Sequence, residues 1–289
     1  MPLPPRSTSV ATAFVAVSAC CFGSIPVLTL LATQAGAPLV SVLAGRYGLA
    51  APLFLVAAGR SARQPMAATT KWQAVLILGG GQALIAGLGL SALRFIPAAT
   101  ASFLFYTYPA WVAIAAAARG TERLTSRRLL ALALSLGGVM VMVGGPAGQM
   151  DWRGVALSVG AAVAYSLYIP FANTLQRETT PATLSMYVSL GAFVVLLIFG
   201  QLTDTLTLAL SPRAIAVVIA LALLTTVLAF ILFLRGLAVL GPVRTAIVST
   251  VEPFCTAVLG SLVLGQPITG GTIVGGGLIA GAVVLLQRG

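Results

Sequence analysis

The sequence has no histidine, and of its 289 residues only five are acidic and three are cysteine. Without histidine the commonest general base is missing, and so is a principal metal ligand. The acids stand far apart. Asp151 and Asp204 fall between apolar stretches, and Glu252 is the only acid inside one, so no carboxylate pair is set up for acid–base work. Cys20, Cys21 and Cys255 all lie within apolar stretches and read as small buried hydrophobes. Adjacent cysteines without a third ligand type do not build a metal site. No Walker A pattern occurs, which argues against a nucleotide-driven machine. Charge of either sign is scarce, at 7% of residues against about 25% in soluble domains. These absences speak against an enzyme, a metal or a cofactor, and leave no room for a soluble domain.

What the chain has is apolar length. Hydrophobic residues make up 59% of it, and the mean hydropathy is +1.06. A bilayer span needs roughly 20 such residues. Ten stretches qualify, at about 9–32, 38–58, 72–93, 97–118, 128–145, 153–173, 182–203, 213–234, 242–264 and 270–287. In lipid the backbone must bond within its own segment, so each is expected to be a helix. The predicted fold is all-α, a polytopic membrane protein. Residues 1–21 include VSAC, a motif reminiscent of a processing site. The apolar stretch continues past Cys21, so it reads as the first span rather than a cleaved signal.

The net charge of +11 does not point to nucleic acid, because the arginines fall in short loops. With the N-terminus inside, twelve Lys and Arg lie on that side, from Arg6 to Arg288, against Arg94, Arg153 and Arg213 outside. The bias predicts cytoplasmic termini and a cell (inner) membrane location. Arg46 alone sits within a span.

The stretch FGSIPVL places Pro26 inside the first span, where a helical proline costs roughly 3 kcal/mol. Ile-Pro recurs at 169–170, and Pro109 recurs as Pro253, both at an offset of 144 residues, half the chain. The same offset matches Val15 with Val159, Thr125 with Thr269 and Gly137 with Gly281. Each half holds five spans, an odd number, so the second half enters the membrane from the opposite side. The loops carry charge accordingly: RGTERLTSRR has four arginines, whereas its mate LGQPITGG has none. We therefore expect two inverted five-helix repeats, residues 1–145 and 146–289, around a central cavity. Such repeats place a substrate site near the midplane. Pro26, Pro109, Pro170 and Pro253 are expected to bend helices around it.

The candidate pathway residues follow from depth and chemistry. Glu252 would couple a proton, hold an amine or bond a neighbouring helix, since an acid at bilayer depth is costly unless satisfied. Arg46 would meet a carboxylate, pair with Glu252 or reach toward the headgroups. Tyr106, Tyr108, Tyr165, Tyr168 and Phe22 cluster beside the prolines, and Tyr165 and Tyr168 share a helix face. Gln82 carries an amide that needs a partner in lipid. Thr225, Thr226 and Asn173 are weaker candidates. Trp72 and Trp152 read as interface anchors. Gly271-x-x-x-Gly275 and Gly277-x-x-x-Gly281 permit close helix contact, either with the fifth span or across a dimer seam.

ALRFIPAATASFLFYTYPAW (92–111) and GLAVLGPVRTAIVSTVEPF (236–254) resemble the fourth- and ninth-span signatures of the ten-span EamA-type members of the drug/metabolite transporter superfamily. TERLT (121–125) and GQPIT (265–269) resemble that family's Gly-Glu-x-Leu-Thr turn, with Thr121 in place of Gly and Gln266 in place of Glu. The resemblance implies two five-helix bundles and export or exchange of small metabolites, nearest to amino-acid exporters, including the aromatic amino-acid group. The expected partners are a small-molecule substrate and the lipid bilayer, with no nucleic acid, in a monomer or weak homodimer. Cationic drugs or nucleosides are the alternative cargo. A passive channel and a non-transporting scaffold rank lower.

Overall fold

The computed structural model describes residues 5–60, 66–92, 94–96, 101, 104–120, 124–143, 151–265 and 268–287. Among them every regular element is a helix. In chain order these are α1 (Pro5–Gly23), α2 (Ile25–Gln34) and α3 (Leu39–Ala58). The next helix, α4, runs through Ala68–Trp72, a π-helical Gln73–Gly79 and Gly80–Ala92. Then come α5 (Tyr108–Ala118), α6 (Ser126–Val143), α7 (Trp152–Leu175) and α8 (Pro181–Leu202). Helix α9 runs through Pro212–Ala220, a π-helical Leu221–Leu228 and Ala229–Leu240. The chain closes with α10 (Pro242–Ser249), α11 (Glu252–Leu264) and α12 (Gly270–Gln287). Among the described residues seven helical stretches are long and apolar enough to cross a membrane, and α5, α6 and α12 fall at the fourth, fifth and tenth expected spans. Much of the entry to the fourth span, and Thr121 and Gln266 of the turn motifs, lie outside the described residues.

Local chemistry sets the helix ends. Asp151, Thr180 and Ser211 cap α7, α8 and α9, each accepting from a backbone N–H of the first turn. The four prolines do not all sit in their helices in the same way. Pro26 lies in the first turn of α2, after a break at Ser24. Pro109 and Pro253 lie in the first turns of α5 and α11. There a missing N–H is no loss, because the first turn has no intrahelical acceptor for it. Pro170 is different: α7 runs unbroken past it to Leu175. One forfeited backbone bond does not end a long helix whose neighbouring turns are intact.

The helices pack in corresponding pairs under the 144-residue offset. Helix α1 lies along α9, as α7 lies along α4. The π-helical part of α4 packs on α8, and that of α9 packs on α3. Helices α3 and α8 lie together, as do α6 and α12. Small residues make the closest approaches. A Cβ on Gly191 of α8 would collide with the Val75 carbonyl oxygen of α4, and one on Gly236 of α9 would collide with Cγ2 of Val15. At the α6–α12 contact, Gly138 faces the Gly275 carbonyl oxygen and Gly271 faces that of Val141. The Gly271–Gly275 spacing thus serves a contact inside the chain, while Gly277 and Gly281 have open space over their Cα atoms.

One sequence expectation is corrected. Cys20 and Cys255 are not independent apolar fillers. They lie side by side, 235 residues apart in sequence but with Cα atoms 5.1 Å apart. Their separation in the chain hid the contact, which arises only where α1 meets α11.

The close helix seams predict an asymmetric response to added methyl groups. Gly191→Ala should lower stability by about 1–3 kcal/mol through overpacking, read as a lower thermal midpoint of the detergent-solubilised protein. Gly277→Ala should leave the midpoint unchanged. An unchanged midpoint for Gly191→Ala would contradict the packing described.

Candidate substrate pocket

The pocket begins with a buried cation. Arg46 lies near the middle of α3 and is 3% exposed, so it does not reach toward the headgroups. A guanidinium at that depth is costly unless its protons are bonded. Its Nε donates to Thr226 Oγ1 at 2.8 Å. Thr226 belongs to the π-helical part of α9, where the widened turn presents it toward α3. The next residue, Tyr47, receives a bond at its hydroxyl from Gln82 Nε2 at 3.1 Å. Gln82 and Thr226 are separated by 144 residues. Corresponding positions of α4 and α9, each just past or within a π-helical segment, therefore hold two neighbouring residues of α3. π-Helical turns are rare and gather at functional sites.

The opposite charge arrives on α11. The chain stops being helical after Ser249 and restarts at Glu252, which occupies the first turn of α11. The first turn of a helix leaves its backbone N–H groups without intrahelical acceptors. The Tyr106 hydroxyl lies within hydrogen-bonding reach of the Glu252 carboxylate. Arg46 and Glu252 both line one cavity of about 140 Å³, with Phe22, Gln82, Phe105, Tyr165, Tyr168, Phe230 and Phe233 among its walls. Phe22 meets Phe230 edge-on at 5.5 Å between ring centroids. Phe105 stacks on Tyr165 at 5.7 Å, and Tyr165 stacks on Tyr168 at 5.9 Å.

Tyr168 is also a wall of a second, larger cavity of about 880 Å³. This vestibule runs between the ends of α5 and α7 and the α9–α10 junction, past Ala164, Leu167, Phe171 and Asn173. Arg119 and Arg177, both exposed, stand at its mouth. Among the described residues only Tyr168 is common to both cavities. At the corresponding place in the other half α1 meets α11. Thr256 Oγ1 on α11 donates to the Gly23 carbonyl oxygen at 2.9 Å, and a Cβ on Gly23 would fall 2.7 Å from the Glu252 carbonyl oxygen. Leu167 and Ala164 line the vestibule, and their counterparts Gly23 and Cys20 lie in that seam.

The residues singled out from the sequence thus divide. Phe22, Gln82, Tyr165, Tyr168 and Glu252 line the inner pocket. Tyr106 is buried and approaches it through Glu252. Tyr108 packs in the core, with its hydroxyl bonded to the Ala246 carbonyl oxygen at 3.3 Å and its ring 4.8 Å from that of Tyr165. Thr225 bonds the Leu221 carbonyl of its own helix, and Asn173 lines the vestibule. Phe105, Phe230 and Phe233 were not among the sequence candidates. Phenylalanine is ordinary in a membrane helix, so nothing in the sequence separates these three from lipid-facing rings.

The described residues form a helical, multi-pass membrane protein with a polar pocket inside its bundle. The EamA-like transporter family model matches residues 10–144 and again 152–288, and the chain belongs to that family. One crystal structure, described only as that of a protein, superposes with a TM-score of 0.78. It covers 96% of this chain and 96% of its own, at 19% identity, which establishes likeness of fold. Comparison with curated proteins found no match.

The anchoring of Arg46 is testable. Thr226→Val should cost about 1.5–3 kcal/mol, the range for a hydrogen bond to a charged group. Gln82→Leu, which breaks a neutral bond to Tyr47, should cost about 1 kcal/mol. Thermal unfolding of the purified protein should rank them in that order. Equal and negligible shifts would show that Arg46 is held by other partners.

Proposed function

We propose that this protein is a secondary carrier of small metabolites bearing both charges, amino acids first among them, and that it works by alternating access. The observation that carries the reading is the shared pocket of Arg46 and Glu252. A guanidinium suits a carboxylate, a carboxylate suits an ammonium group, and the two are set among aromatic rings that receive an apolar side chain. A ligand carrying both charges satisfies both buried groups at once, which a neutral or singly charged ligand does not.

Size and charge favour this over the drug reading. Pockets for drug-sized ligands run to about 300 Å³ or more, and the inner pocket holds about 140 Å³. A cationic drug would also face Arg46. Charge bias in the loops supports a cytoplasmic position for the Arg119–Arg177 mouth. The vestibule then admits substrate from the cytoplasm, Tyr168 stands between vestibule and pocket, and the seam of α1 with α11 lies on the far side. Inverted halves supply the complementary state: the α5–α7 side closes as the α1–α11 side opens. Transport in that direction is export or exchange.

Counterflow in proteoliposomes tests the reading. With unlabelled amino acids inside, labelled amino acid should enter saturably. Glu252→Gln and Arg46→Leu should each raise the half-saturation concentration about tenfold or more, the worth of one charged hydrogen bond. Tyr168→Ala should change the rate of exchange. Uptake driven only by cationic drugs or nucleosides would replace the substrate class. Exchange with none of these, from folded protein, would favour a scaffold.

A further inference from the structure

The rings that wall the inner pocket have small counterparts in the other half of the chain. Among the described residues six rings line it, those of Phe22, Phe105, Tyr165, Tyr168, Phe230 and Phe233. At the 144-residue offset Phe22 stands opposite Ser166, Phe105 opposite Ser249, Phe230 opposite Ala86 and Phe233 opposite Gly89. Tyr165 stands opposite Cys21, and Tyr168 opposite Ser24. One member of each pair is large and the other small, the alternation by which corresponding positions fill a shared space. The space that remains is about 140 Å³. The rings are backed by one another. Phe22 meets Phe230 at 5.5 Å and Phe233 at 6.2 Å between centroids, edge-on in both cases. Phe230 and Phe233 are buried. Phe105 stacks on Tyr165, which Tyr108 backs at 4.8 Å and Tyr168 at 5.9 Å. An interior packed in this way does not yield by the breadth of a ring.

We propose that the inner pocket selects small amino acids, from alanine to valine in size, and turns away those with aromatic side chains, and that Phe22 and Phe230 set the limit. The proposal rests on the carrier reading above and names its substrate more narrowly. A dry apolar cavity of about 150 Å³ takes benzene, with about six heavy atoms. Alanine has about that many, and serine, threonine and valine slightly more, whereas phenylalanine and tryptophan have about twice as many or more. The vestibule, at about 880 Å³, has room for any of these. Selection therefore falls at the inner pocket, where Arg46 and Glu252 stand. An amino acid whose carboxylate meets Arg46 and whose ammonium group meets Glu252 has its side chain against the rings. A methyl, hydroxymethyl or isopropyl group needs no ring to move. A phenyl or indole group needs the displacement of a ring that other rings hold in place.

A panel of amino acids graded by size tests the limit in the full-length protein, with one readout that does not depend on transport. In detergent, alanine, serine, threonine and valine should raise the thermal midpoint by mass action, and phenylalanine and tryptophan should not. In proteoliposome counterflow, half-saturation by alanine or serine should lie at least about tenfold below that by phenylalanine, the scale on which an apolar pocket discriminates side-chain size. Phe22→Ala should narrow that gap about tenfold, by opening space where the ring stood. Phe230→Leu, a milder change at a buried position, should shift the preference the same way. A ratio between substrates does not move when only the amount of folded protein falls, so it separates selection from a loss of stability. Wild-type preference for phenylalanine or tryptophan over alanine overturns the size limit and leaves the carrier reading standing. A size series that both folded variants leave unchanged overturns the role of Phe22 and Phe230. Binding graded by size without counterflow supports the selection and removes the carrier reading instead. Neither binding nor counterflow with any of these amino acids overturns both.

Discussion

Arg46 has to be accommodated, and much of the interior is arranged around that requirement. A guanidinium in the middle of an apolar helix cannot be left unbonded. Thr226 takes its Nε, and the π-helical widening of α9 brings Thr226 to the place where α3 passes. Gln82 steadies the neighbouring Tyr47 from α4. The acid that answers the cation, Glu252, comes from a helix that begins anew at that depth, so that its carboxylate sits at a fresh N-terminus. Interrupted and widened helices are expensive in lipid unless they surround a cavity. Here the irregular turns of α4, α9 and α11 converge on one pocket, which is where such irregularity is tolerable.

The aromatic residues give that polar centre its walls. Phe105, Tyr165 and Tyr168 form a run of stacked rings from the pocket to the vestibule, and Phe22 with Phe230 closes the opposite side. Excluding water strengthens every charged contact inside. Tyr168 holds the position of most consequence among these rings, because it is the residue common to both cavities.

The two corresponding seams are lined differently. The vestibule runs where α5 meets α7, past Ala164 and Leu167. Where α1 meets α11, Thr256 bonds the Gly23 carbonyl oxygen and the Cα atoms of Cys20 and Cys255 are 5.1 Å apart. The two halves, matched at an offset of 144 residues, differ in their side chains along these seams. Cys20 stands opposite Ala164, and Gly23, which lets α11 come close, stands opposite Leu167.

Periodicity and composition alone determined the class of structure. Long apolar runs and scarce charge leave only helices crossing a membrane, since unbonded backbone in lipid is forbidden. The 144-residue recurrence of Ile-Pro and of Pro109 in Pro253 pointed to corresponding helices, and Glu252, Gln82, Tyr165 and Tyr168 were legible because polar or aromatic groups stand out in such a chain. The tertiary structure decided the rest. Whether Arg46 reached toward headgroups or turned inward depended on where Thr226 lay, 180 residues away. Phe105, Phe230 and Phe233 became pocket walls, and Cys20 and Cys255 became neighbours, only through the packing of helices remote in sequence. Pro170 has the same local signal as Pro26, yet α7 continues through it. Local chemistry prices a residue in a given environment. Which residues share that environment is settled by long-range contacts that no single stretch of chain records.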